Sequence, residues 1–483
     1  MEYQHLETKY QNHTAAQQAK EKEMMKKHSA AVFLLAAALS LGSAGITALA
    51  AEGWVQEGNQ WVYYNASGSR VYNAWRKDGD GLWRYLDSYG VMAVNSWVDD
   101  DRYYVDANGT MAAGQWMQIP DSNSESGVST YYFTGTGKAV KDKWEKINNQ
   151  WYHFSDSGAM ETGWLLDDMY YCNEDGVMLT GWQQLVPPEE KDEDTQTSPY
   201  DDPDQSGTYW YYFNSSGKKA LPEERSNGNI RQKRIEGAYY CLDTDGAMLT
   251  GWVCVTGDES DNLEDYCYTD EDGHVCTGWY AAQPPEMLGA TYDNDVEWFY
   301  FNSKGQPKVG PPRGSATYKD LEKIGGNTYL FDDKGVPVYG IQKVYLNSDE
   351  DDYTAYYFGT RQQSSMLTGK FKIQENGEEA SYYFANTGRG YTGVHDNCLY
   401  YKGRLQKADS ADKYEVFSID MGNNTKNYVV NASGRIAKNT TVKDASGARL
   451  KVNSSGILVR EDGEEVDGNT YSTPEEPEWN GDD

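Results

Sequence analysis

Aromatic runs and glycine turns alternate along most of this chain. Residues 144–182 contain the pattern twice in succession: a Trp, a short polar spacer, an aromatic run, a turn ending in Gly, and x-Met-x-Thr-Gly-Trp, where the next copy begins. The aromatic runs, Trp-Tyr-His-Phe at 151–154 and Met-Tyr-Tyr-Cys at 169–172, favour β-strands. Each copy therefore predicts one β-hairpin of about 20 residues.

The turn glycines extend this pattern over nearly all of the chain beyond residue 51. A single hairpin cannot bury an aromatic face, so the copies must stack on one another. The sequence therefore predicts an all-β solenoid of stacked ~20-residue β-hairpin repeats. Stretches rich in Pro, Gly and acids, such as residues 186–208, are predicted to project as loop insertions. The turn glycines are Gly68, Gly90, Gly109, Gly137, Gly158, Gly176, Gly217, Gly246, Gly273, Gly305, Gly335, Gly388, Gly434 and Gly456.

The repeats differ between the two halves of the chain. Fourteen of the fifteen Trp lie between Trp54 and Trp298, whereas Tyr-Tyr-Phe runs mark the repeats beyond. If Trp side chains line ligand-binding sites, those sites lie in the N-terminal half of the chain. We therefore expect four segments: an N-terminal extension and signal peptide (1–51), Trp-rich repeats (52–282), degenerate Tyr/Phe-rich repeats (283–460) and an acidic disordered tail (461–483).

Residues 24–51 have the design of a secretory signal. A basic stretch at 24–27 precedes an apolar stretch at 30–41, and Ala-Leu-Ala at 48–50 is an A-x-A cleavage site. The apolar run is too short for a membrane anchor. The sequence thus predicts a secreted protein with no membrane span after cleavage, and translation starting at Met24 or Met25.

Composition limits the classes of partner. The chain of 483 residues carries a formal charge of −32, which argues against nucleic acid and anionic lipid. A mean hydropathy of −0.81 would suggest disorder, but disordered chains are poor in aromatics and this one is 14% aromatic. A repetitive fold with an aromatic core reconciles the two observations.

Three units, at 53–75, 144–164 and 163–182, resemble the cell-wall-binding repeats of the choline-binding protein family of Gram-positive bacteria. Related repeats occur in glucan-binding regions of glucansucrases and in the receptor-binding ends of clostridial toxins. The resemblance is good over residues 53–278 and looser over 298–456. It implies a left-handed β-solenoid in which aromatics of adjacent hairpins form a box around the choline of teichoic acid.

The chemistry of such a box can be argued separately. A quaternary ammonium has no proton to donate, so aromatic faces within about 6 Å must hold it, each contributing roughly 0.5–2 kcal/mol. A single site is therefore weak. Many sites facing a polymer that repeats the ligand raise the apparent affinity by about 10² to 10⁴.

Period-two alternation places the positions seven and five before a turn Gly on one strand face. The best box on this reasoning combines Trp144 and Trp151 of one hairpin with Tyr171 and Met178 of the next. Trp54, Trp61 and Trp83 form a second candidate, and Trp75, Trp83 and Met111 contribute to a third. Trp164 and Trp182 open further units.

An alternative is that these aromatics only pack hairpin against hairpin. Two units depart from the family pattern, because Arg102 and Thr130 occupy the strand position of the second Trp. We expect those units to be silent.

No metal or cofactor is predicted. The six Cys include no CxxC, and their fifteen possible pairings stay open. Acidic groups such as residues 270–273 lack the spacing of calcium loops and are better explained as Asx-rich hairpin turns.

The sequence favours a non-enzymatic protein. It contains no HExxH, GxSxG or P-loop motif, and the repeats leave no separate stretch large enough for a catalytic domain. The leading hypothesis is non-covalent attachment to choline-bearing teichoic acid or a similar wall polymer. The alternatives are a surface adhesin that binds glucan or a host glycan, and a structural spacer.

Overall fold

The structure, a computed structural model, describes residues 52–188, 207–223, 229–257, 259–285, 288–347, 351–375, 377–422, 424–466 and 471–480. The predicted extension and signal peptide lie outside these residues, as does most of the 186–208 insertion. The described residues form an all-β protein of repeated antiparallel hairpins. Among them, no helix has the length and apolar character needed to cross a membrane.

The chain divides into two compact units. The first contains the residues up to Ile119 together with Tyr131–Ala139, and the second contains Pro120–Thr130 together with Val140–Asp483. In the first unit the strands are β1 (Gly53–Glu57), β2 (Gln60–Tyr64), β3 (Ala74–Lys77), β4 (Trp83–Leu86), β5 (Ser96–Val98) and β6 (Tyr103–Val105). The division passes through β7 (Gln115–Pro120) and β8 (Val128–Phe133).

The second unit begins with further hairpins of the same kind. Its first strands are β9 (Lys143–Ile147), β10 (Gln150–Phe154), β11 (Gly163–Leu165), β12 (Tyr170–Cys172), β13 (Gly181–Leu185), β14 (Tyr209–Phe213), β15 (Gln232–Ile235), β16 (Ala238–Leu242), β17 (Met248–Leu249), β18 (Gly251–Cys254), β19 (Tyr266–Thr269), β20 (Gly278–Ala282), β21 (Glu297–Phe301), β22 (Glu322–Ile324), β23 (Asn327–Tyr329), β24 (Ile341–Tyr345) and β25 (Tyr353–Tyr357). Short 3₁₀ helices cover Leu263–Asp265, Tyr318–Asp320 and Arg361–Gln363.

Larger sheets appear towards the end of the second unit. The remaining strands are β26 (Gly369–Glu375), β27 (Glu378–Phe384), β28 (Gly393–His395), β29 (Cys398–Tyr401), β30 (Arg404–Leu405), β31 (Tyr414–Asp420), β32 (Thr425–Asn431), β33 (Thr440–Lys443), β34 (Arg449–Val452), β35 (Leu458–Glu461) and β36 (Glu464–Glu465). A five-stranded sheet has the order β26-β27-β30-β29-β28, and β33 to β36 form a four-stranded sheet. The Trp-rich hairpins before them are mostly two-stranded.

Many of the turns after the aromatic strands are Asx turns closed by glycine, whereas Ser155 and Thr134 begin others. In one copy, the side-chain oxygen of Asn173 accepts from the backbone N–H groups of Asp175 and Val177, and Gly176 has φ +78°. Asp270 makes the same contacts with the N–H groups of residues 272 and 274. The prediction that the acidic group at 270–273 is an Asx turn is therefore confirmed.

Two kinds of contact recur between consecutive hairpins within a unit. The N–H of Met178 donates to the carbonyl of Trp151 (2.9 Å), and in the first unit Met111 donates to Trp83 in the same way (2.9 Å). The Met178 side chain also lies over Gly217, where an added Cβ would meet its sulfur at 2.3 Å. Consecutive hairpins are therefore in direct contact, as the need to bury their aromatic faces required.

The position four before the turn Gly forms the core of the repeats. Phe154, Phe213 and Phe301 occupy it and are almost completely buried. Cys172 takes the same position, and burial raises the pKa of its thiol to about 12. This cysteine therefore acts as a small apolar core residue.

None of the six cysteines is in a disulfide, although two of them are adjacent. The sulfurs of Cys241 and Cys267, on β16 and β19, lie 3.1 Å apart in a buried apolar cluster. A disulfide has an S–S distance of about 2.05 Å, so a shift of about 1 Å would bring the two sulfurs into bonding distance.

Refolding from urea with glutathione disulfide is expected to link Cys241 to Cys267. The two thiols become one protein disulfide while the glutathione disulfide is reduced to two glutathione thiols, and the link ties neighbouring hairpins together. Peptide mapping by mass spectrometry checks the pairing. Mixed pairings in equal amounts would contradict it, and refolding with reduced glutathione is the control.

The tail differs from the expected disordered segment, because residues 471–480 pack against earlier strands. Trp479 joins the cluster around Ile341, and Glu476 forms an ion pair with Lys402 (2.7 Å). Asn480 exchanges two hydrogen bonds with Ile341. The acidic, Pro-rich composition suggested disorder, but these long-range contacts hold the segment in place.

Candidate functional site

Aromatic contacts between consecutive hairpins recur at fixed positions. In the strand pair β9–β10, Trp144 lies opposite His153, and the two rings are 4.8 Å apart. The ring of Tyr170, on the next hairpin, lies 5.3 Å from Trp144. Trp144 therefore lies between an aromatic of its own hairpin and one of the next.

A second Trp lies on the same hairpin face. Trp151 is opposite Lys146, so alternation places it diagonally across from Trp144. Its side chain is 41% exposed, and the backbone bond from Met178 brings the next hairpin beside it. Trp144, Trp151 and Tyr170 thus form three aromatic walls, and Met178 is bonded to Trp151 through its backbone. We call these four residues the Trp144 box.

The predicted Tyr171 lies one residue away from this wall. Trp164 is opposite Tyr171 in the β11–β12 pair, and their rings are 5.2 Å apart. Tyr171 therefore packs on its own hairpin, while Tyr170 points the other way and meets Trp144. Strand alternation predicted which residues share a face within one strand. It did not predict that Tyr170, and not Tyr171, of the next hairpin contacts Trp144.

The first unit contains an equivalent Trp75 box. Trp75 contacts Tyr103 of the next hairpin at 5.2 Å, and the 42%-exposed Trp83 lies on the same face. Met111 reaches Trp83 through its backbone. The indole N–H of Trp75 donates to Asp99 (3.4 Å), which places a carboxylate beside the box.

A third arrangement, the Trp182 box, was only partly recognised from the sequence. Trp182 contacts Tyr240 at 4.7 Å, Trp210 is 42% exposed on the same face, and Met248 packs in the same cluster. The residues between β13 and β14 separate Trp210 from Trp182 in sequence. Trp210 lies seven residues before the turn glycine Gly217, so counting back from that glycine identifies it as the second Trp of the box.

A related Trp279 box has a proline in the Met position. Trp279 contacts Tyr329 at 4.8 Å, and Trp298 lies on the same face with 55% exposure. Pro337, two residues after the turn Gly, replaces the Met. Neither Trp was among the candidates that the sequence singled out.

The first hairpin lacks one wall. Trp54 and Trp61 share a face, and Trp54 contacts Tyr63 at 5.4 Å. The position that holds Tyr in the boxes is Arg84 in the next hairpin, where it forms an ion pair with Asp78 (2.6 Å). A guanidinium at this position disfavours a second cation, so the predicted box of Trp54, Trp61 and Trp83 does not have the geometry of the Trp144 box.

One cavity of about 460 Å³ opens in the first unit, and it differs from the boxes. Its lining includes Tyr85, Trp97 and Asp99, but neither Trp75 nor Trp83. The boxes themselves open at the surface, because the outer Trp of each one is exposed.

One turn in the second unit brings three potential metal-ligating side chains together. The ligand atoms of Asp270, Asp272 and His274 lie within 4.8 Å of one another. Asp270 already accepts two backbone hydrogen bonds, and the imidazole of His274 contacts the hydroxyl of Tyr240 (2.9 Å). These contacts belong to the Asx turn and hold its side chains in place.

Three segments of the chain match models of known repeats. Residues 80–111 and 142–181 match choline-binding repeats, and residues 205–219 match a cell wall binding repeat. The second match contains the complete Trp144 box, and the third contains Trp210.

Curated relatives are similar over a part of their length. Glucosyltransferase-S of Streptococcus mutans serotype c is 23% identical over 327 residues, which cover 64% of this chain and 19% of that protein. Glucosyltransferase-I of Streptococcus downei is 29% identical over 104 residues, which cover 21% of this chain and 6% of that protein. The chain thus spans about a fifth, or less, of these relatives.

Solved structures of pneumococcal proteins are also similar. CbpJ from Streptococcus pneumoniae is 22% identical, with a TM-score of 0.37, over 65% of this chain and all of that one. Choline binding protein F from the same organism is 20% identical, with a TM-score of 0.31, over 73% of this chain and 98% of that one.

Proposed function

This chain carries choline-binding repeats, and from this we propose that it is a secreted, non-enzymatic protein that attaches to the cell surface by binding choline of a wall polymer such as teichoic acid. The binding groups are the Trp75, Trp144 and Trp182 boxes, with the Trp279 box as a further site. Within each unit the hairpins stack as a solenoid, which presents the boxes at intervals along the polymer.

The observation that carries this proposal is the repeated combination of two Trp, one Tyr and one Met. Each box offers three aromatic faces, and each face contributes roughly 0.5–2 kcal/mol to holding a quaternary ammonium. The outer Trp is exposed in every case, so a ligand can enter without unfolding a hairpin.

Charge and valency support the same ligand. The net charge of −32 attracts cations, and the carboxylate of Asp99 lies beside the Trp75 box. One box is weak, but several boxes on one chain bind a repeating polymer with an apparent affinity about 10² to 10⁴ higher.

The unequal distribution of boxes supports different roles for the two groups of repeats. The Trp-rich repeats bind, while the Tyr/Phe-rich hairpins and larger sheets beyond them serve as scaffold. We place the boundary between binding repeats and scaffold repeats after the Trp279 box. This boundary lies beyond residue 282, which the sequence suggested, because the box includes Tyr329.

Retention on a choline-mimic resin tests the proposal. The protein from residue 52 onwards is expected to stay on the resin in moderate salt and to elute with free choline at constant ionic strength. Since any acidic protein sticks to a cationic resin, elution with the same concentration of sodium chloride is the control. Release by salt alone would show simple ion exchange and remove the support for choline recognition.

A second candidate ligand is a glycan. The exposed faces of Trp83, Trp151 and Trp210 could stack on sugar rings, and the chain resembles glucosyltransferases over 327 residues. On this hypothesis the protein would be retained on dextran beads, and free choline would fail to elute it. This result in place of choline elution would favour the adhesin hypothesis.

A further inference from the structure

One aromatic box in the second unit is built like the others. Trp164 contacts Tyr211 of the next hairpin at 5.0 Å and Tyr171 of its own hairpin at 5.2 Å. The N–H of Lys219 donates to the carbonyl of Met169 (2.8 Å), which repeats the bond from Met178 to Trp151. We call this set the Trp164 box.

The Trp164 box differs from the others in the residue that closes it. Two residues after the turn Gly, where the complete boxes have Met, this hairpin has Lys219. The ammonium nitrogen of Lys219 lies 4.7 Å from the centre of the Trp164 ring and 5.6 Å from that of Tyr211. The chain's own cation therefore occupies the place where an external ammonium would contact these rings.

Burial strengthens this arrangement. Lys219 is 7% exposed, and its methylene stem extends along the turn at Gly246 as the Met side chains do in their units. A cation–π contact is stronger when the cation is desolvated than when it lies at the surface. The Tyr211 hydroxyl is buried without a hydrogen-bond partner among the described residues, which shows that the interior is closed to solvent.

The outer wall of the Trp164 box is also changed. The position seven before the turn Gly, which holds an exposed Trp in the complete boxes, is Met169 here. An external ligand would find one aromatic face fewer and a resident ammonium.

We propose that Lys219 fills the Trp164 box as an internal ligand, so that this unit holds a cation but takes none from outside. The proposal rests on the choline-binding function and refines it: the residue two after each turn Gly decides whether a box is open (Met) or self-occupied (Lys). The valency of the chain is then set residue by residue.

Choline stoichiometry, measured by equilibrium dialysis and titration calorimetry on the protein from residue 52 onwards, tests this. Met169→Trp alone adds the missing wall but leaves the ammonium in place, so it is expected to bind as many cholines as the natural chain. Met169→Trp combined with Lys219→Met completes an open box and is expected to bind one more. Met169→Trp combined with Lys218→Met, which removes the same charge from an exposed neighbour, is expected to add none.

The outcomes separate this inference from the proposed function. If the natural chain binds choline and the Lys219→Met combination binds no more than Met169→Trp alone, the inference is overturned and the function stands. If only the combination binds, the function is overturned and the inference stands. If neither binds, both are overturned. Near-ultraviolet circular dichroism verifies folding, and Lys219→Gln with Met169→Trp replaces a variant that does not fold.

Discussion

Replacing Trp83, Trp151 and Trp210 together with alanine is expected to lower the apparent affinity for a choline-bearing polymer by at least about tenfold. Each substitution removes one aromatic face from a complete box, a loss of roughly 0.5–2 kcal/mol per site. Three such losses amount to about 1.5–6 kcal/mol when the sites act together, and each 1.4 kcal/mol is about tenfold. The concentration of free choline that elutes the variant from the resin measures the effect.

These three Trp suit the test because their exposure separates binding from folding. Each is about two-fifths exposed, so alanine leaves the buried core positions intact. The matched control replaces three exposed rings outside the boxes, Tyr72, Tyr89 and Tyr318, and should elute like the natural chain. If both triple variants elute alike, the exposed Trp do not form the walls of the ligand site.

The largest effect on stability is expected from Gly310→Ala. An added Cβ would lie 1.9 Å from the carbonyl oxygen of Phe331, a backbone atom that cannot move without disturbing the hairpin. Overpacking of this kind costs about 1–3 kcal/mol, and more where the backbone must shift, so we expect a loss of about 3 kcal/mol or more. Urea unfolding followed by far-ultraviolet circular dichroism measures the change in the free energy of unfolding.

Gly257→Ala is the matched control in the same unit. Its Cβ would find its nearest neighbour only at 4.0 Å, and neither glycine has a positive φ. The difference between the two variants therefore reports the close approach to Phe331 and excludes a general effect of removing glycine. Equal midpoints for the two variants would show that the hairpin can shift to accept a methyl group.

Much of the fold could be predicted because the repeats are local. The aromatic runs and Asx-Gly turns specify each hairpin within about 20 residues, and Phe154 or Phe213 at a fixed distance from the turn identifies the core. The larger sheets beyond residue 369 could not be predicted in this way. In the five-stranded sheet, β30 pairs with both β27 and β29, and this pairing between neighbouring hairpins is not encoded in the repeat pattern.

Most of the residues that meet in the Trp144 box could be predicted from the sequence, and their role in binding stays a prediction. The sequence identified Trp144, Trp151 and Met178 because motif spacing is regular, but it chose Tyr171 where the structure places Tyr170. Alternation decides which residues share a face within one strand. It does not decide how the next hairpin is turned, which depends on packing between hairpins.

The burial of Lys219 could not be predicted from the sequence. Its position in the repeat can be counted from the turn glycine, but a lysine in a repeat is ordinarily an exposed residue. Its burial against Trp164 and Tyr211 follows from the rings around it, which only the structure brings together.

The packing of residues 471–480 has a consequence for the order of folding during synthesis. Contacts between Trp-rich hairpins join neighbours in sequence, such as Met178 and Trp151, so these hairpins can assemble as the chain emerges. Ile341 instead forms a hydrogen bond with Asn480, which is synthesised 139 residues later, and Gln406 forms one with Glu475, 69 residues later. The Trp-rich repeats can therefore fold before synthesis is complete, whereas the repeats that contact residues 471–480 close last and expose the strands around Ile341 to aggregation until then.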